Sequence, residues 1–110
     1  MRKVTIDRKK WLRGYNGGSS SSLWKISKQA GCCLGHVCSQ LTNTPIEKYS
    51  GIAYPDKDLS TKLFPSSRIP YEVSFDIAQI NDGVNPRGKV RENKLKAEFA
   101  KYDIEVEFYN

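Results

Sequence analysis

Apolar residues recur along this chain with two periods, and the change of period marks its elements. Val4 and Ile6 alternate with Lys3 and Thr5. That is the two-residue period of a strand with one covered face, so residues 3–6 are expected to form a short strand. Asp7 then suits the cap of a short helix over 8–13 that Gly14 stops, with Trp11 and Leu12 as core anchors. Residues 15–22 contain Gly17-Gly18 and four serines, nothing that drives burial, and read as a flexible surface loop. Over 31–41 the period lengthens: Cys33, Leu34, Val37, Cys38 and Leu41 form a stripe at helical spacing. Gly35 inside that helix costs about 1 kcal/mol relative to alanine, a cost that a closely packed neighbouring backbone would explain.

The second half repeats the alternation of signals. Thr44-Pro45-Ile46-Glu47 reads as a helix start, with Thr44 as N-cap, Pro45 at the first helical position and Glu47 at the capping-box position. Ser50-Gly51 ends it. Residues 54–70 hold three prolines and read as loop with one helical turn near 59–64. A helix is expected over 73–80, with Val73, Ile77 and Ile80 on one face, followed by an Asn81-Asp82-Gly83 turn. Another helix is expected over 88–102, with Leu95, Phe99 and Tyr102 along one side. Ile104, Val106 and Phe108 alternate with Glu105, Glu107 and Tyr109, a half-buried strand. Its outward glutamates complement Lys3. The expected architecture is therefore a single α+β domain over 1–110, its N- and C-terminal strands paired and several short helices packed on one face.

Composition narrows the function classes. The chain has 110 residues, 38% hydrophobic and 27% charged, enough to bury a core without disulfides or metal. No apolar run approaches the roughly 20 residues that span a bilayer, and the first residues lack the apolar stretch of a secretory signal, so a cytosolic protein is expected. Cys32, Cys33 and Cys38 make an odd set, read as free thiols in a reducing compartment. The net charge is +6, much of it at the front in Arg2, Lys3, Arg8, Lys9, Lys10 and Arg13. Such a patch can bind phosphate, and equally can be a solvated surface.

Five short stretches, Trp11-Leu12-Arg13-Gly14, Gly31-Cys32-Cys33-Leu34-Gly35, Ile80-Asn81-Asp82, Arg91-Glu92 and the strand from Asp103 to Phe108, together resemble a family of small bacteriophage and prophage proteins that share a Cys-Cys-Leu-Gly core motif. The chain departs from that pattern at Asp103, where a glycine is common. The resemblance implies a phage-type accessory protein in the bacterial host cytoplasm. It supplies no catalytic residue.

Few residues offer chemistry. Cys32 and His36 are four apart and would share a helix face, where a helix N-terminus and a histidine favour a thiolate. No third residue or oxyanion loop accompanies them, and the competing reading places them at the edge of a core stripe. Cys32, Cys33, His36 and Cys38 would offer zinc four donors, but all within one helix and on different faces, unlike paired knuckles. The Asn81-Asp82-Gly83 and Asn85 segment lacks the alternating acids of a calcium loop, and Gly14, Gly17 and Gly18 lack a following Gly-Lys-Ser/Thr. No catalytic residue, metal or cofactor is therefore expected. Trp11, Phe99 and Phe108 are assigned to the core. Tyr15, Trp24 and Tyr54 fall in loops, and with Arg13 and Arg68 nearby they are the candidate binding residues, suited to anchoring in a protein or stacking on a base. The expected function is stoichiometric binding to a host protein, a defence component included. The alternatives are a nucleotide or small-anion binder that sequesters a signal, and a basic nucleic-acid-binding protein, although no recognition motif for nucleic acid is visible.

Overall fold

Two strands from opposite ends of the chain form the sheet. β1 (Arg2–Asp7) and β2 (Ile104–Tyr109) pair in parallel, with Val4 opposite Val106 and Lys3 opposite Glu105. The computed structural model describes residues 1–13, 22–83 and 88–110. Between the strands run α1 (Cys33–Thr42), α2 (Lys57–Leu63), α3 (Pro70–Asp82) and α4 (Gly88–Ala100), which gives the mixed α+β architecture expected. Parallel pairing requires such a crossover. Val4, Ile6, Ile104, Val106 and Phe108 turn inward, where α1 packs on β1 and α4 on β2. The outward row behaves as expected, with the Lys3 ammonium 3.7 Å from the Glu105 carboxylate.

The core is continuous from the sheet to α3. Leu34, Val37, Leu63, Phe64, Ile77, Leu95 and Phe99 are fully buried. Trp11 stacks at a tilt on Phe108, ring centres 4.5 Å apart. Gly35 has the close neighbour that its position demanded: a Cβ there would lie 1.8 Å from the carbonyl oxygen of Leu23. The segment before α1 thus lies directly against the helix backbone, and only hydrogen fits between them.

Several boundaries differ from the sequence expectation for identifiable reasons. The helix expected over 8–13 is one 3₁₀ turn, Arg8–Lys10, whose first turn Asp7 caps through Lys9 N–H. Trp11 leaves it because its segment pairs with Gly31, Leu12 N–H donating to the Gly31 carbonyl at 2.8 Å and Gly31 N–H to that of Lys10 at 3.0 Å. The same pairing keeps Gly31 extended, so α1 begins at Cys33. Thr44 is not an N-cap. Pro45 holds that position before the 3₁₀ turn Ile46–Tyr49, without a side-chain cap, and the Thr44 hydroxyl instead bonds Thr42. The single turn expected near 59–64 is α2, capped by Asp56 accepting from Leu59 N–H at 2.8 Å. The helix expected over 73–80 runs from Pro70 to Asp82, so Asn81 and Asp82 form its last turn rather than a loop. The loop expected over 15–22 lies outside the described residues up to position 21, as does Asn85.

Candidate functional site

Three places in the fold carry groups capable of chemistry or recognition. The first is the start of α1. Cys32 occupies the cap position in extended backbone and makes no capping bond. All three thiols are buried. Burial pushes the Cys32 thiol up to about 12, the nearby Asp82 charge adds to this, and the N–H groups of Gly35 and Leu34 only partly oppose it. Burial likewise raises Cys33 and Cys38. His36 faces away from this chemistry: its Nε2 lies 2.8 Å from the Lys10 carbonyl oxygen, which only a ring N–H can satisfy. Burial lowers its pKa, against the raising effect of the Lys10 and Gly31 carbonyls. Burial thus favours the protonated thiols and the neutral imidazole. Among the described residues no three His, Cys, Asp or Glu side chains are grouped to hold a metal ion.

Asn81 ties this region together. Its Oδ1 accepts from the Trp11 indole at 2.7 Å and from Cys33 N–H at 3.1 Å, while its Nδ2 donates to the Leu12 carbonyl at 2.9 Å. One fully buried amide thus joins α3 to both the Trp11-Leu12 segment and α1. That is structural satisfaction of buried polar groups.

The second place is a cavity of about 240 Å³ lined by Lys10, Trp24, Gln29, His36, Gln40 and Glu47, among others. Most of its polar wall is already engaged. Gln40 both accepts from Thr5 N–H and donates to the Thr5 carbonyl, and Gln29 donates to the Ile26 carbonyl. Trp24 differs from these, because its indole N–H is buried with no acceptor among the described residues.

The third is on the outside of α3. Residues 71, 75, 78 and 82 fall on one side of a helix by their spacing. The Phe75 ring meets Tyr54 nearly edge to face, 6.1 Å between centres at 79°. Tyr54 also packs against Tyr71 at 5.6 Å, and the Tyr71 hydroxyl donates to that of Tyr54 at 3.1 Å. That bond raises the Tyr71 pKa, because losing the proton would forfeit the donation. A groove of about 240 Å³ runs along this cluster, lined by Ala53, Tyr54, Phe75, Ala78, Gln79 and Asp82. Phe75 remains 43% exposed.

The five candidate binding residues are not brought together. Tyr54 lines the α3 groove, whereas Trp24 lines the other cavity. Trp24 is 4% exposed rather than a surface aromatic, because its segment bridges to Ser50 and its ring sits over Gly31 and edge-on to His36. Arg13 lies over the Trp11 ring at 4.5 Å. Arg68 is exposed and lines neither cavity. Tyr15 lies outside the described residues. Part of the basic front is used internally: Arg2 donates to the Leu63 and Tyr102 carbonyls at 2.7 and 2.8 Å, and Arg8 grips Glu92 with two bonds at 2.7 and 2.8 Å. Sequence reasoning missed Tyr71, Phe75 and Ala78. The 71/75/78/82 spacing was the available signal, hidden by starting the helix at Val73. No family model, curated protein or solved structure matches the chain.

Proposed function

We propose that the protein acts without catalysis, by binding a protein partner whose apolar side chain anchors in the Tyr54–Phe75 groove. Phe75 carries this reading: a large ring left 43% exposed, yet fixed by its packing against Tyr54 and, through Tyr54, by Tyr71. Pinned aromatic side chains lose little conformational freedom on association, and aromatic anchors dominate protein interfaces. The groove's size supports the same choice. At about 240 Å³ it is below the roughly 300–1,000 Å³ of pockets that enclose whole small ligands, but it suits one inserted side chain. From the resemblance of its short motifs to phage proteins, we read the partner as a bacterial host factor, a defence component included, that the protein would occupy in the cytoplasm. Among the described residues no helix is long and apolar enough to cross a membrane.

Benzoylphenylalanine placed at position 75, and separately at exposed Ile26 as a control, tests this in bacterial lysate. A discrete adduct formed from position 75 and absent from position 26 is expected. Equal labelling from both positions, or none from position 75, would remove the groove as the binding surface.

One observation favours a second reading, the binding of a small anion. The Trp24 indole N–H is a buried donor without an acceptor among the described residues, in the wall of a cavity that Lys10 also lines. Native mass spectrometry with inorganic phosphate and sulfate, anions small enough for a cavity of about 240 Å³, tests it: an adduct lost in Lys10→Ala supports this reading, and a bare chain in every condition removes it.

A further inference from the structure

The partner's chemistry follows from the charge around the groove, an inference that rests on the binding role just proposed. α3 contains Glu72, Asp76 and Asp82 and no lysine, arginine or histidine, in a chain whose net charge is +6. Helical spacing makes Glu72 a neighbour of Phe75 at i,i+3 and of Asp76 at i,i+4, on the exposed side of the helix. Both carboxylates are exposed. Glu72 and Asp76 take no part in the ion pairs that hold Lys3, Arg8, Lys96 and Lys101. Of the three acids only Asp82 lines the groove, where it accepts from Asn81 Nδ2 at 2.9 Å, while Glu72 and Asp76 stand on the adjoining exposed face of the helix with Phe75, so an apolar anchor meets acid on a basic protein. We infer that the groove receives a cationic amphipathic segment, an apolar side chain flanked by lysine or arginine. The chain's overall positive charge repels such a segment at long range. That repulsion is screened beyond roughly 8 Å at physiological salt, whereas contacts at the groove edge persist. Binding of a cation-rich segment by this protein therefore reports on a local acidic surface.

Fluorescence anisotropy with the full chain at about 0.15 M salt tests the inference with defined probes: a labelled leucine–lysine helical peptide of about 18 residues and its leucine–glutamate counterpart. The lysine peptide is expected to bind at least about tenfold more tightly than the glutamate peptide, and E72K/D76K to weaken it about tenfold. E72Q/D76N should give an intermediate loss, and circular dichroism checks that each variant stays folded. Phe75→Ala should abolish binding. Binding lost in Phe75→Ala but unchanged in E72K/D76K would overturn the cationic inference and leave the groove standing. Binding indifferent to Phe75→Ala would remove the groove itself, and preference for the glutamate peptide would overturn the inference directly. The turn Ile26–Lys28 has related chemistry, with Ile26 63% exposed next to Lys25 and Lys28. Sedimentation of the chain alone separates that occupant from a foreign partner, and a monomer is expected. Self-assembly abolished by Ile26→Ser would make a second copy the occupant and overturn the proposal.

Discussion

α1 and α3 divide the molecule's reactive appearance from its available surface. α1 and its cap residue gather the residue types that signal chemistry, three thiols and the chain's one histidine, yet every residue from Cys32 to Cys38 is buried and the imidazole is spent on a backbone carbonyl. α3 looks ordinary in sequence, but it presents a fixed aromatic cluster and unburied carboxylates to solvent. The contrast shows that residue type alone does not make a site. Exposure and an unmet partner do, and both are consequences of packing.

The largest effect that sharpens this contrast is thiol reactivity. A Cys32 pKa pushed from 9.0 to about 12 cuts its thiolate fraction about a thousandfold at pH 8, since only the thiolate attacks. All three cysteines are expected to resist a disulfide reagent in the native chain and to react at once in denaturant. Rapid native labelling of Cys32 would make α1 a reactive centre after all. Next is Gly35→Ala, which drives a methyl group into the Leu23 carbonyl. A loss of about 3 kcal/mol or more is expected in urea denaturation, at the upper end of overpacking costs. Asn81→Leu should follow with about 2–4 kcal/mol, because the Trp11 indole and the Cys33 N–H would both be left buried without an acceptor.

These last two differ in how readable they were. Gly35's need for a close neighbour was visible as a glycine inside an apolar helix. The strand periods at both ends, their pairing and the Lys3–Glu105 match were also legible, because alternation over a few residues is a local signal. Asn81 was read as turn punctuation. Its role depends on Trp11, Leu12 and Cys33 arriving from distant segments, which no local pattern encodes. Trp24 failed in the same way: its segment looked like loop, but bridging to Ser50 and packing over Gly31 buried it. The groove needed both a correct start for α3 at Pro70 and knowledge that Tyr54 lies against Tyr71, and only the first was available in the sequence.

Acid should expose a smaller difference. Burial holds His36 below its ordinary 6.5, so the unfolded chain takes up a proton that the folded chain resists. Stability is then full above about pH 6.5 and falls below it, by at most about 1.4 kcal/mol per pH unit, until the folded-state pKa is reached. Arg8 lowers Glu92 from 4.5, and the Lys9 N–H lowers Asp7 from 3.8. Their stabilisation is present above those values and is lost as pH falls through the folded-state values, which steepens the decline. Urea midpoints across this range should show both limbs, with the upper one flattened in His36→Gln. The smallest effect belongs to Phe75→Ala, expected to cost under about 1 kcal/mol because the ring is largely a surface group. A large loss would make it a core residue and blunt the contrast with α1.

The most direct test of α3 as the binding surface is chemical-shift mapping of the isotopically labelled full chain titrated with the leucine–lysine peptide. The account predicts that the perturbed resonances cluster at Ala53, Tyr54, Tyr71, Phe75, Ala78 and Gln79. Perturbations centred on Lys10, Trp24, His36 and Gln40, with α3 silent, would contradict it.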